Sequence, residues 1–409
     1  MFNMKKFLFV TLIIAMLLGC AAADIETSPP VSTIGTTAAS TTTGTTASQP
    51  TTTVAKADIP VPTKRETRIS FAAVGDNLLH NTVTYSAQIE KGKFDFSPIY
   101  SIMKPIVEKY DLAFVNQEIP LGGLDFGLSG YPTFNGPAEA AKGLFDSGFN
   151  IINIASNHSL DKGLKCLLAS YENIKKAGFD KIIGIFPDEN KTDDFLVFEQ
   201  DGVTIGMLSY TYGTNGMPLP KSNPNVVPLI KDEKIKSDIE KLRPECDVLI
   251  VSMHWGTEYT TQEIKEQTRL AELLNSLGVD VIIGHHPHVI EPMKIIGDEH
   301  KTVCFYSLGN FVSNQQKAAT MLGGMASFDI VKTIEDEIEI QNAGVLPIVT
   351  HYNNKANKYD IYPLDSYTEE LANVHGIRKY DSKFSLKYLN NLSDEVLGEY
   401  RLSLGDLDD

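Results

Sequence analysis

Five short groups of residues in this chain carry side chains suited to acid–base or metal chemistry. They are Asp76 in Val74-Gly75-Asp76, Asn116-Gln117-Glu118, Asn157-His158, His254, and His285-His286-Pro287-His288. Oxygen and imidazole donors without a thiolate suit manganese, iron or zinc as a divalent ion, one or two per chain. Asp76 offers a hard carboxylate ligand or, read alone, a helix N-cap. Asn116 and Glu118 alternate, so both can point to one face, where Glu118 can bridge two cations. Asn157 can ligate through its carbonyl oxygen, leaving His158 beside the metal to protonate a leaving oxygen. Asp161 is read first as the cap of the following helix and second as the group fixing the tautomer of His158. His254, His286 and His288 are read as imidazole ligands, the last two presented by a turn that Pro287 stiffens, with His285 pointing elsewhere. His80 reaches the same place if the chain after Asp76 turns helically. Trp255, Glu258 and Tyr259 follow His254 and line a pocket or pack. Two cations roughly 3.5–4 Å apart would serve an in-line displacement, usually at phosphorus.

These groups need elements that bring them together. Each follows an apolar, strand-like run, over residues 69–74, 111–115, 151–155, 248–253 and 279–283. In an α/β fold, residues just past the C-termini of parallel strands meet on one rim, where ligands bind. Helical spacing of apolar residues predicts helices over 161–177 and 260–277, each ending at a glycine, with further helices over 97–109 and 137–147. Strand-like runs at 303–308, 326–331 and 337–345 come without helices between them, which predicts an antiparallel continuation or a second sheet. Residues 368–375 and 384–392 read as short helices, and 405–409 as a frayed acidic end.

The N-terminus sets the compartment. Lys5 and Lys6 precede an apolar run over 7–18 that is too short to span a bilayer but suits a signal peptide. Leu17-Leu18-Gly19-Cys20 resembles a bacterial lipobox, which implies lipidation of Cys20; an uncleaved anchor or an ordinary secretory signal are the alternatives. Each of them puts the body of the chain outside the cytoplasm. Residues 27–55 carry no charge and are rich in Ser and Thr, so they read as a disordered tether reaching on the order of 30 Å. The expected organisation is a signal peptide over 1–19, a lipidated cysteine and tether over 20–64, a main domain over 65–350 and a C-terminal extension over 351–409. A net charge of −16 disfavours nucleic acid as a partner, although a metal centre could still attract anions locally. Cys166, Cys246 and Cys304 read as small buried hydrophobes, and a disulfide between two of them stays open.

Six motifs then come together: Val74-Gly75-Asp76, Asn116-x-Glu118, Ala155-Ser156-Asn157-His158-x2-Asp161-x-Gly163, His254-Trp255-Gly256-x-Glu258-Tyr259, Gly284-His285-His286-Pro287-His288-Val289 and Tyr306-Ser307-Leu308-Gly309-Asn310-Phe311. In this order they resemble the CapA family of capsule-synthesis proteins, associated with poly-γ-glutamate and similar in fold to calcineurin-like metallophosphoesterases. The resemblance implies an α/β fold, a four-layer α/β/β/α sandwich with a C-terminal helical appendage. It implies Asp76, Glu118, Asn157, His254, His286 and His288 as metal-ligand positions, His158 as the acid, and Gly309 and Asn310 lining or supporting the pocket. Leu78 departs from the wider Asp-x-His pattern, and Asn-x-Glu replaces Gly-Asp at the second strand. The expected roles are a lipid-anchored component of capsule synthesis or export working with membrane-embedded synthetase subunits, an extracytoplasmic hydrolase of phosphoesters or cell-wall polymer, or a binder of an anionic polymer.

Overall fold

Strand Thr67–Asn77 is buried along nearly its whole length, because it runs through the middle of a sheet covered on both faces. In the computed structural model, residues 65–190, 195–353, 355 and 357–407 are described. The segments expected as signal peptide, lipidated Cys20 and tether lie outside them. On one side Thr67–Asn77 pairs in parallel with Leu112–Gln117, which leads on to Ile151–Asn153 and Lys181–Ile183. On the other side Leu322–Lys332, Ile338–Asn353 and Lys358–Pro363 continue the sheet antiparallel. The short strand Asn310–Val312 joins the end of Thr67–Asn77 in parallel.

A second sheet has the order Met293–Ile296, Thr302–Phe305, Val281–His285, Val248–His254, Val203–Thr211 and Leu196–Gln200. Its four inner strands are parallel. Alternate residues sort its two faces. Ile205, Met207, Val248, Ile250, Val281 and Phe305 share one core with Phe71, Phe114 and Phe328 of the first sheet. Leu208, Leu249, Val251 and Ile282 pack instead with Ile235 and Ile239 of helix Asp232–Leu242, and with Leu270 and Leu274 of helix Lys265–Ser276. The Phe305 and Phe328 ring centroids lie 6.0 Å apart across the sheets. The result is two sheets face to face with helices outside, the layered α/β fold that the motifs implied.

Several boundaries move for local reasons. The helix expected over 97–109 is two short ones, Ser97–Tyr100 and Lys104–Val107. Pro105 in the first turn of the second has no N–H to continue the first. The helix expected from 260 starts at Lys265, where the Gln267 side chain accepts from the Ile264 N–H at 2.9 Å. The boundary expected near residue 350 falls inside strand Ile338–Asn353, which pairs with Lys358–Pro363. Helices Glu369–Val374 and Leu386–Leu397 follow, the second running past its expected end and burying Leu389, Val396 and Leu397. The end expected to fray packs in part: Leu407 rests on the main core, as does Leu404 just before it. Cys166, Cys246 and Cys304 are free and buried. Among the described residues no helix is long and apolar enough to cross a membrane.

Register brings the chemistry to one rim. Asp76 pairs with Asn116 and with Asn310, and Asn116 pairs with Asn153. In the second sheet Thr211, His254 and His285 stand in line. The parallel strands of both sheets therefore end where the motifs begin.

Candidate metal centre

Glu118 is the centre of the cluster. It emerges just after Leu112–Gln117, is 1 % exposed, and neither carboxylate oxygen has a hydrogen-bond partner. Its Oε1 lies 3.6 Å from His288 Nε2 and 4.0 Å from His254 Nε2. Donor atoms of Glu118, His286 and His288 all lie within 4.8 Å of one another, close enough to share one cation. Burial pushes the Glu118 carboxyl well above its usual range. A buried carboxylate with two unsatisfied oxygens is costly unless a cation or proton meets it. Three imidazoles beside it make a cation the fitting partner, so the residues present suit a divalent ion.

The imidazoles come from the second sheet. His254 ends strand Val248–His254, and its Nε2 lies 2.9 Å from Asn157 Oδ1. His286 and His288 flank Pro287, with φ values of 98° and 59°, backbone that L-residues adopt only when the surroundings hold it. The Pro287 carbonyl accepts from the Tyr259 N–H at 2.8 Å, which helps to hold it. Burial drives His286 down to about 3 and His254 well below the ordinary imidazole range. Burial also opposes charge on His288, but Glu118 and Asp76 outweigh it and raise that ring to about 9.

Asp76 stands behind His288. Its Oδ2 lies 3.0 Å from His288 Nδ1 and accepts from the His286 N–H at 3.4 Å, while Oδ1 accepts from Asn116 Nδ2 at 2.7 Å. Burial pushes the Asp76 carboxyl up, but His288 prevails and holds it below the usual range. Asn116 links Asp76 to Asn153, whose Nδ2 donates to Asn116 Oδ1 at 2.7 Å. Gly75 owes its place to close approach: a Cβ there would sit 2.0 Å from the Gly309 carbonyl oxygen, which accepts from the Asp76 N–H.

His158 and Asp161 form a separate dyad at the edge of the cluster. His158 Nδ1 lies 2.7 Å from Asp161 Oδ2, which also accepts from the Phe134 N–H at 2.7 Å. Asp161 therefore orients His158 rather than capping the helix; Lys162 holds the cap position before Gly163–Ala177. With Nδ1 donating to Asp161, Nε2 is the nitrogen free to exchange a proton with a ligand. The His158 ring meets Phe134 edge-on, its centroid 4.7 Å away.

The remaining expected residues divide. Trp255 is core: 2 % exposed, stacked on Tyr306, its Nε1 donating to the Tyr306 carbonyl at 2.9 Å. Tyr259 and Glu258 are exposed at the mouth, the Tyr259 ring 6.3 Å from His288. Asn310 braces the histidine turn, donating to the His288 carbonyl at 3.2 Å. Leu78 packs in the hydrophobic core. His80 accepts the Asn314 N–H on Nδ1 at 3.2 Å. His285 stacks on Phe114, and its Nδ1 lies 4.0 Å from Asp76 Oδ1. Two residues of the mouth went unread. The Tyr212 ring lies 4.6 Å from that of His286, and Asn215 Oδ1 accepts from Asn157 Nδ2 at 3.2 Å. Their sign in the sequence was the Tyr-Gly-Thr-Asn-Gly turn directly after an apolar strand.

Glu291 supports the turn from behind. Its N–H donates to the Ser307 carbonyl, Oε2 accepts from Gln267 Nε2 at 2.5 Å, and Oε1 has no partner. Burial raises the carboxyl from 4.5 to about 8. The folded chain thus prefers the protonated form, so this stability is complete below pH 4.5 and is lost as pH rises towards about 8. Glu291→Gln should flatten that decline, measured as the urea midpoint against pH; an unchanged slope would place its cause elsewhere.

Comparison with known proteins bears on the same stretch of chain. A family model described as bacterial capsule synthesis protein PGA_cap matches residues 70–315. The PGA biosynthesis protein CapA of Bacillus subtilis is 31% identical over 204 residues, 49% of this chain and 52% of that protein. The capsule biosynthesis protein CapA of Bacillus anthracis is 29% identical over 181 residues, 43% of each chain. This chain thus spans about half the length of these relatives. Among solved structures, the calcineurin-like phosphoesterase YfkN from Bacillus subtilis is similar at 16% identity and a TM-score of 0.41, over 80% of this chain and 99% of that one.

Proposed function

The chain belongs to the bacterial capsule synthesis protein family PGA_cap, and from that premise we propose that it serves in making or exporting an extracellular poly-γ-glutamate-type capsule, through a divalent-metal site at the rim. The observation that carries the metal reading is the Glu118 carboxylate, buried and unpartnered among His254, His286 and His288. A divalent cation held there would supply Lewis-acid activation of a substrate oxygen. The chain's own groups supply the rest. Asp161 holds the His158 ring so that Nε2 can deliver a proton to a departing oxygen or nitrogen. Asn215 and Tyr212 stand over one side of the cluster and Tyr259 over the other, where they can orient a ligand.

The relatives' names support the capsule reading, and the dyad favours turnover over binding alone. In this proposal Cys20 carries a lipid that holds the chain on the outer face of the membrane, and residues 20–64 let the head reach membrane-embedded synthetase or export subunits. A hydrolase of phosphoesters or cell-wall polymer is the second reading, supported by the same dyad.

The test is turnover of poly-γ-glutamate and of a panel of phosphoesters by the metal-loaded protein. His158→Ala should lower the rate about 10²- to 10⁴-fold while metal content stays unchanged. Binding of polymer with no turnover of any substrate would instead leave the cluster a recognition site.

A further inference from the structure

The six residues expected as ligands are not equivalent, and the difference bears on how many ions the site takes. The inference rests on the reading of the cluster as a divalent-cation site. The His288 ring stands between two carboxylates. Its Nδ1 faces Asp76 Oδ2 at 3.0 Å, and its Nε2 faces Glu118 Oε1 at 3.6 Å. Asp76 is already engaged from three sides, by His288 Nδ1, the His286 N–H and Asn116 Nδ2. Asn116 is itself fixed by Asn153, whose Oδ1 accepts from Ser209 at 2.7 Å, so this network locks the Asp76 carboxylate in place. Glu118, on the other side of the ring, has no hydrogen-bond partner on either oxygen and meets only the imidazoles of His288 and His254, at 3.6 and 4.0 Å. The donor set close enough to share one ion contains Glu118, His286 and His288 and leaves Asp76 out. Of the two side chains after Asp76, Asn77 bonds to Gln117 and Tyr100, and Leu78 is buried in the core, so neither adds a donor on the Asp76 side.

We propose that this chain holds one divalent ion, centred on Glu118, His286 and His288, and that Asp76 is a positioning residue that orients His288 from behind. A carboxylate hydrogen-bonded to the far nitrogen of a ligating imidazole fixes its ring and tautomer and makes it a better donor. His254 and Asn157, joined at 2.9 Å, border the same ion on the side facing His286. The two carboxylates thus have different tasks: Glu118 meets the ion, and Asp76 aims the ring that meets it.

The test is manganese titration of the full chain, with bound metal counted by elemental analysis and the ions' magnetic coupling read by electron paramagnetic resonance. The expected result is one ion per chain at saturation with an uncoupled spectrum. Asp76→Asn should still saturate at one ion, with affinity lowered about 10- to 100-fold. Two ions with a coupled spectrum would overturn the inference while leaving the metal site standing. A fall from two ions to one in Asp76→Asn would overturn it equally. No bound ion in the wild-type chain would overturn the metal reading itself, and the inference with it. Should the variant fail to fold, the wild-type count and spectrum decide alone.

Discussion

Glu118→Gln should abolish metal-induced stabilisation and, in metal-free buffer, make the protein more stable than the wild type. Both effects come from the same pair of unpartnered oxygens. Without a cation the wild type keeps a buried carboxyl whose polar atoms have no partner, a cost of about 1–3 kcal/mol. An amide of the same shape removes the negative charge and part of that cost. With metal at 100 times its dissociation constant, the wild type should gain about 2.7 kcal/mol and the variant close to nothing. Thermal unfolding of both proteins, with manganese and with chelator, gives four midpoints whose order should cross over. Equal metal-induced shifts in the two would mean that the ion sits elsewhere.

Gly284→Ala should destabilise the fold more than any ligand substitution. The strand carrying this residue lies beside the chain leaving Thr302–Phe305, and a Cβ would sit 1.9 Å from the Tyr306 carbonyl oxygen and 2.7 Å from that of Phe305. Both are backbone atoms, so the strands would have to separate. The Leu308 N–H to Gly284 carbonyl bond at 3.1 Å would be disturbed with them. A cost of about 4 kcal/mol or more is expected, a large share of the stability of an ordinary domain. Urea unfolding measures it directly, and a loss under about 1 kcal/mol would show that the strands yield easily. The glycine before the histidines thus sets how close two strands lie and so where the ligands begin.

The strands and their rim could be read from the chain because buried parallel strands need continuous apolar runs, and 248–253 and 279–283 are such runs. The positions of Glu118, His254, His286 and His288 followed from where those runs stop. What sequence did not settle was the task of each polar group, because hydrogen-bond partners come from other strands. Asp76 reads as a ligand by type, yet Asn116 and His288 occupy its oxygens. Asp161 reads as a cap by its place before a helix, yet Phe134, distant in sequence, helps draw its carboxylate to His158. Trp255 looked like a pocket residue because it follows His254. The pleat turns its ring to the opposite face, among the helix-packed core. Asn153 sat unread inside an apolar run, although a polar side chain there needed a partner.

The cluster is built from both halves of the sandwich. Glu118 and Asn157 follow strands of the first sheet, while His254 ends one strand of the second and His286 and His288 follow another. An ion bound among them is therefore a rivet between two layers otherwise joined at this rim by side-chain packing and a few hydrogen bonds, such as Asp76 to His288 and Asn153 to Ser209. Its removal should loosen the seam from that end, so amide hydrogens near Asn116 and His285 should exchange faster in chelator than those at the opposite ends of the same strands.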